Sequence, residues 1–299
     1  MPSGILLLDK PRGLSSNAAL QRVRALFERE KAGHVGSLDP LATGMLPICL
    51  GEATKVAGEI LAGRKCYRFT VTLGTRTATG DAEGAVTECA PVPPLERAQV
   101  TAVIERFVGN GTQVPPMYSA LKRDGQPLYR LARAGVTVER APRRIEISRL
   151  RLLALAGPCL ELEVLCSKGT YVRVLAEDIA LALGSLGHVS TLRREYVEPF
   201  ADEPMQSLES LAALGAQERG RLLLPVDAPL QHLAALHLEA DAVRRMFHGQ
   251  AVALPGAPPG RRVRLYDGPR FLGIAETDAA GVVHPRRLLS FQSAAPAVR

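Results

Sequence analysis

The chain opens on an apolar run, Gly4-Ile-Leu-Leu-Leu-Asp-Lys-Pro11, whose length and closing charge and proline predict a short buried strand. Ser15, Ser16 and Asn17 are all suitable caps for a helix in which Leu20, Val23 and Phe27 share one face. Between residues 33 and 53 the periodicity breaks. Gly33, Gly36, Pro40, Gly44, Pro47 and Gly51 make this segment too irregular for one helix or one strand, and such stretches are where functional loops lie. From Lys65 onward, Tyr67, Phe69, Val71 and Leu73 alternate with Arg68, Thr70 and Thr72, the period of a half-buried strand. Leu95, Val100, Val103, Ile104 and Phe107 fall at helical spacing up to Gly109. Residues 110–143 are mixed and basic, with a short helical piece near Leu128–Ala134 stopped by Gly135. Strands are predicted over 144–155 and 159–166, a helix from Tyr171 to Leu183 before Gly184, and another strand over 188–197.

Strands and helices alternate without a strict βαβ rhythm, which favours an α+β fold with a mixed, largely antiparallel sheet flanked by helices. A second unit is expected from residue 230, dividing the chain into 1–229 and 230–299. There His237–Leu238 lead into a short helix, Ala240–Phe247, ended by Gly249. Strands over 250–254, 262–267, 270–275 and 282–289 follow, separated by turns such as Pro255-Gly256, and suggest a small β-barrel-like appendage. Ser293–Arg299 reads as a frayed tail.

Composition adds little by itself. With 299 residues, 46% hydrophobic and 22% charged, the chain is an ordinary globular one. A net charge of +7 and a pI near 9.4 suit a polyanionic partner, although a basic excess of this size also serves solubility. Cys49, Cys66, Cys89, Cys159 and Cys166 show neither a C-x-x-C pair nor zinc spacing, so reduced thiols in a cytoplasmic protein are expected. No apolar stretch reaches the roughly 20 residues of a membrane span.

The chemistry concentrates in Gly33-His34-Val35-Gly36-Ser37-Leu38-Asp39-Pro40-Leu41-Ala42-Thr43-Gly44-Met45-Leu46-Pro47. A lone Asp-Pro commonly just opens a turn. Here glycines permit close backbone approach to a ligand, His34 can donate to phosphate or base, and the leucines can wall off a carboxylate.

This stretch resembles the catalytic motif of the TruB family of tRNA pseudouridine synthases, GHxGTLDPxATGxLP, with its following GxATK present as Gly51-Glu52-Ala53-Thr54-Lys55. Asp9-Lys10-Pro11 with Gly13 and Ser15 is similar to the family's opening motif, and Lys65 with Tyr67 to its KxY. Leu73-Gly74 through Thr77, Thr79, Asp81 and Gly84 resembles LGxxTxTxDxxG. Gln113 to Lys122 resembles QxPPxYSAxK, Cys166 to Arg173 resembles CSKGTYIR, and Leu192-Arg193-Arg194 is similar to LRR. Motifs in this order cover roughly residues 4–200. Ser37 departs from the family's Thr, and Glu198 stands where a Gly is common.

The resemblance implies a pseudouridine synthase fold with a C-terminal PUA-like RNA-binding domain. It also implies isomerisation of the T-loop uridine of tRNA with no cofactor and no metal. Asp39 is implied as the catalytic carboxylate, acting as nucleophile on the anomeric carbon or as base at the 2′ position. Arg173 is implied as its partner and Tyr67 as the platform for the flipped uracil, with Tyr171 and Leu192 lining the same pocket. Read without the motif, Arg173 is a surface cation on its helix, Tyr67 is core, and Leu192 packs. His34 resembles a residue that enters the T loop, and Lys10, Lys55, Lys122, Arg130, Arg133, Arg143, Lys168 and Arg194 are candidate phosphate contacts. The 110–143 segment resembles a mobile RNA-clamping insertion, expected to order poorly without RNA. A monomer acting on the T stem-loop without guide RNA or membrane is expected. A non-catalytic RNA chaperone and a synthase for another RNA are the rival readings, and a hydrolase is disfavoured because no second carboxylate stands out.

Overall fold

A computed structural model describes residues 3–28 and 31–290, so the Ser293–Arg299 tail lies outside the described residues. The main sheet is built from β1 (Gly4–Lys10), β2 (Ala32–His34), β3 (Thr43–Leu50), β4 (Lys65–Leu73), β5 (Gly109–Gln113), β6 (Arg143–Ala156), β7 (Cys159–Cys166) and β8 (Gly187–Val197). Its order is β1-β3-β8-β4-β7-β6-β5, with β2 pairing on β3. Every pairing is antiparallel except β3 with β8, which is the mixed, largely antiparallel sheet that the sequence pattern predicts.

The opening strand is apolar at almost every position because both of its faces are covered. Leu6 and Leu8 enter the principal core, whereas Ile5 and Leu7 enter a second cluster with Met45, Val197 and Ile274. The same reasoning explains a misreading. Part of the irregular 33–53 segment is the core strand β3, whose run Met45-Leu46-Pro47-Ile48-Cys49-Leu50 is buried on both faces and so shows no alternation. Pro47 still contributes its carbonyl, which accepts from the Val35 amide at 2.8 Å.

Helices α1 (Ser16–Phe27), α2 (Ala57–Ala62), α3 (Arg97–Glu105), α4 (Leu128–Arg133) and α5 (Val172–Ala182) fall close to the predicted positions, apart from α2. Ser15 caps α1, its hydroxyl accepting from the Ala18 amide at 3.1 Å. Two short helices, α6 (Leu208–Ala213) and α7 (Ala216–Arg221), were not legible in the sequence. Between β5 and β6, residues 114–142 leave and re-enter the sheet edge, carrying α4 and a ribbon formed by Lys122–Arg123 and Gln126–Pro127.

The C-terminal sheet comprises β9 (Ala234–His237), β10 (Val252–Ala253), β11 (Arg262–Asp267), β12 (Arg270–Thr277) and β13 (Val282–Leu288), in the order β9-β11-β12-β13-β10, with α8 (Ala240–Phe247) beside it. It is welded to the rest of the chain. Ile274 shares the second core cluster, Arg262 pairs with Glu59 at 2.8 Å, and Lys55 donates to the Leu288 carbonyl at 2.8 Å. Lys55, read from sequence as a phosphate contact, also pairs with Glu52 at 2.7 Å and so is engaged as a joint between the sheets.

At the parallel crossing of β3 and β8, Gly44 lies opposite Arg194, with φ at 98° and room for no side chain, since an added Cβ would collide with the Arg194 carbonyl oxygen. We expect Gly44→Ala to lower stability by roughly 1–3 kcal/mol, read as a shifted urea midpoint with unchanged slope. An unaltered midpoint would show that this crossing tolerates a Cβ.

Candidate active site

Asp39 projects from the loop between β2 and β3, and that loop is pinned from α1. The buried Ser16 hydroxyl donates to the Leu38 carbonyl at 2.9 Å and lies 2.7 Å from the Leu38 amide, from which it accepts. The Gly13 amide donates to the Pro40 carbonyl at 2.8 Å. Lys10, read from sequence as a phosphate contact, is fully buried and donates to the Pro11, Leu14 and Pro40 carbonyls. Burial lowers its pKa to about 8. It braces the Asp39 loop, and its ammonium is withdrawn from the surface where phosphate would lie.

Arg173, in the first turn of α5, is buried, which overturns the surface reading of that helix position. Its Nε lies 3.0 Å from Asp39 Oδ2 and 3.7 Å from Asp81 Oδ2. The remaining guanidinium nitrogens donate to the Thr79 carbonyl at 2.6 Å and to the Tyr118 carbonyl at 2.7 Å. Asp81 is fixed in turn by the Thr79 hydroxyl at 2.6 Å and the Glu83 amide at 3.1 Å. One guanidinium thus serves two carboxylates, with a side-chain exposure of 39% for Asp39 against 6% for Asp81. Only Asp39 opens toward a ligand. Desolvation pushes its carboxyl above the usual range; Arg173 pulls it back and the Asp81 charge raises it again.

Asp39 and Arg173 border a cavity of about 360 Å³. Tyr67 of β4 and Leu192 of β8 line it from the sheet, and Tyr171 lines it from just ahead of α5. The Gln113 side chain clamps the Tyr171 backbone, accepting from its amide at 2.9 Å and donating to its carbonyl at 3.3 Å. The five residues read as catalytic or pocket-lining therefore converge on one space. Ser119, Ala120 and Leu121, from the segment between β5 and β6, close part of its wall.

The candidate RNA contacts divide. Lys122, Arg130, Arg133 and Arg143 are exposed on or beside the 114–142 excursion, and Lys168 is exposed on the cavity rim. Arg194 is not a surface group: it is 1% exposed, and its guanidinium donates to the Met45 carbonyl at 2.6 Å and the Gly36 carbonyl at 2.9 Å. It ties together the two ends of the Asp39 loop. His34 ends β2 outside the cavity lining, with a buried Nδ1 that has no partner among the described residues and a pKa lowered by burial and by Arg194.

Sequence reasoning assigned no role to Asp81, Gln113 or Lys65. Lys65 is buried beside the cavity and donates to the Leu61 carbonyl at 2.6 Å. All three stood in quoted motifs, and the available signal for Lys65 was its place at the head of the strand face that continues with Tyr67, Phe69, Val71 and Leu73. Among the described residues no group of three or more His, Cys, Asp or Glu is arranged to hold a metal ion. Of the two departures, Ser37 lines the cavity, and Glu198 pairs with Arg64 at 2.8 Å on the surface.

The fold is that of the pseudouridine synthases. The solved structure titled "Crystal Structure of a Cbf5-Nop10-Gar1 Complex" matches with a TM-score of 0.72 at 24% identity, over 96% of this chain and 85% of the other. The archaeal box H/ACA sRNP Nop10-Cbf5 complex matches with a TM-score of 0.71 at 21% identity, over 97% and 87%. More narrowly, residues 24–172 match the N-terminal domain of TruB family pseudouridylate synthase. Residues 173–231 match the tRNA pseudouridylate synthase B C-terminal domain, and residues 234–289 the C-terminal unit of pseudouridine synthase II TruB. The tRNA pseudouridine synthase B of Stutzerimonas stutzeri is 52% identical over 96% of this chain and 95% of its own length. That of Chromohalobacter salexigens is 50% identical over 98% and 96%. The chain belongs to the TruB family of pseudouridylate synthases.

The charge arrangement predicts a titration. By carboxyl-selective NMR, Asp39 should titrate above the ordinary aspartate range. Replacing Asp81 by Asn should move that pKa downward, because a neighbouring negative charge is removed. An upward movement would mean that Asp81 acts on Asp39 mainly by orienting Arg173.

Proposed function

We propose that this enzyme isomerises the T-loop uridine of tRNA to pseudouridine with Asp39 as the reacting carboxylate. The observation that carries this reading is the Asp39–Arg173 pair at a cavity bounded by Tyr67, Tyr171 and Leu192. A flipped nucleotide entering that cavity would bring its anomeric carbon toward the one carboxylate that opens into it, with Tyr67 offering a face to the uracil. Asp39 must be ionised, whether it attacks the anomeric carbon or removes the 2′ proton. Arg173 favours the ionised form and fixes its orientation, in opposition to burial. Activity should accordingly fall as pH drops through the raised pKa of Asp39.

The tRNA assignment is supported by relatives named tRNA pseudouridine synthase B over nearly the whole chain. Residues 1–229 form the catalytic part in this reading, the segment of about 110–143 clamps RNA with Lys122, Arg130, Arg133 and Arg143, and Lys168 takes phosphate at the rim. Residues 230–299 serve as the PUA-like RNA-binding unit. His34 enters the T loop. The enzyme works as a cytoplasmic monomer on the T stem-loop, with neither guide RNA nor cofactor. Among the described residues no helix is long and apolar enough to cross a membrane.

The test is incubation with an unmodified tRNA transcript, followed by carbodiimide-blocked primer extension. The wild type should give a single stop at the T-loop uridine, and Asp39→Asn should give none while still binding tRNA. The same substitution should leave the melting temperature unchanged or raised. A folded-state pKa above the unfolded value means that stability present at low pH is lost as pH rises through it, so at neutral pH the ionised carboxylate opposes folding. A full-strength stop from Asp39→Asn would refute the assignment, and tRNA binding without any stop from the wild type would favour a chaperone.

A further inference from the structure

The cavity has an unequal distribution of charge. Around Asp39, two carboxylates share the single guanidinium of Arg173. On the sheet beneath, the balance is reversed. Lys65 and Tyr67 stand two residues apart on β4, and Arg194 lies opposite Tyr67 in the β8 register. Lys65, Tyr67 and Arg194 all line the cavity. Neither cation forms an ion pair among the described residues: Lys65 donates to the Leu61 and Gly63 carbonyls, and Arg194 to those of Met45 and Gly36. Two nearly buried cations whose acceptors are neutral, carbonyls and, for Arg194, also the Tyr67 hydroxyl, keep a positive field that no ion pair cancels in a region of low dielectric. Maintaining such charges costs folding free energy that two apolar side chains would avoid. Burial, helped by the Arg194 charge, lowers the Lys65 pKa to about 8, which leaves it mostly protonated at neutral pH.

We propose that Lys65 and Arg194 stabilise the uracil anion that forms when the glycosidic bond breaks. This rests on the synthase reading above. The C1′–N1 bond cleaves with its electron pair left on the base. The sugar either gains a bond to an Asp39 oxygen or gives its 2′ proton to that oxygen. The base then turns, and C5 bonds to C1′ as the Asp39–C1′ bond breaks or as the 2′ proton returns from Asp39 to the sugar. The C5 proton departs and N1 takes up a proton, so no redox partner is needed. Negative charge on the base exists only between the first and last of these steps. A fixed positive field beneath the ring therefore favours cleavage over the bound ground state, and it acts on turnover more than on RNA affinity.

Leaving-group chemistry separates this role from a structural one. The target nucleoside of a T stem-loop RNA is either uridine or 5-fluorouridine, whose fluorine steadies the anion by itself. Loss of the original nucleoside in single turnover is followed after nuclease digestion. Lys65→Met should slow the uridine reaction by about ten- to a hundredfold and the 5-fluorouridine reaction markedly less, with RNA affinity retained. Lys65→Arg should keep the wild-type ratio of the two rates. Lys65→Gln, whose amide can still donate to the two carbonyls, should behave like Lys65→Met and guards against a folding defect. Equal slowing of both RNAs, or a wild-type rate for Lys65→Gln, would overturn the proposal. A wild-type enzyme inactive on both RNAs would instead sink the synthase reading itself.

Discussion

A guanidinium withdrawn from water has to find acceptors for its donors and a countercharge, and Arg173 finds them in three separate segments. Asp39 comes from the loop after β2, Asp81 and the Thr79 carbonyl from the turn beyond β4, and the Tyr118 carbonyl from the excursion between β5 and β6. Its own backbone belongs to α5. Ion pairs this deeply buried gain little net stability, because desolvation offsets most of the attraction. What this one provides is registration. Segments up to 134 residues apart in sequence, from Asp39 to Arg173, are brought to one point, and only Asp39 retains an open side.

The scaffold supports that point from behind. Lys10 and Ser16 hold the Asp39 loop against α1, and Arg194 holds its two flanks through the Gly36 and Met45 carbonyls. Polar side chains buried in this way are costly unless their donors find acceptors, and here the acceptors are backbone carbonyls of the loop and of the segments beside it. The parallel crossing of β3 and β8 places Arg194 within reach, and the missing side chain of Gly44 allows that crossing to close. Rigidity of the loop is thus a product of sheet topology.

The alternation in β4, the helical spacing of α1 and α5, and the strand pair β6 and β7 were legible because each has one covered and one open face. Strand β3 was hidden because burial on both faces removes the period, and Gly44 and Pro47 imitate loop chemistry. The short α6, α7 and β9 carry too few residues for any period to register. At the site, Asp39, Tyr67, Tyr171, Arg173 and Leu192 emerged from motif resemblance, and the structure places them around one cavity. Lys10, Lys55 and Arg194 did not follow the expectation, because a basic residue in sequence carries no mark of whether it faces solvent or a ring of carbonyls.

That last distinction matters for how basic residues in such an enzyme divide their work. Exposed cations such as Lys122, Arg130 and Lys168 can exchange water for phosphate at low cost, and they suit a substrate that must be gripped and released. Buried cations such as Lys65 and Arg194 cannot exchange partners, and their field is set before any substrate arrives. A field fixed in advance requires no reorganisation when charge develops on a bound base, whereas a mobile surface charge would lose that advantage to solvent screening. On the proposed reading, the chain's positive excess serves two separate ends, RNA attraction outside the cavity and charge stabilisation within it.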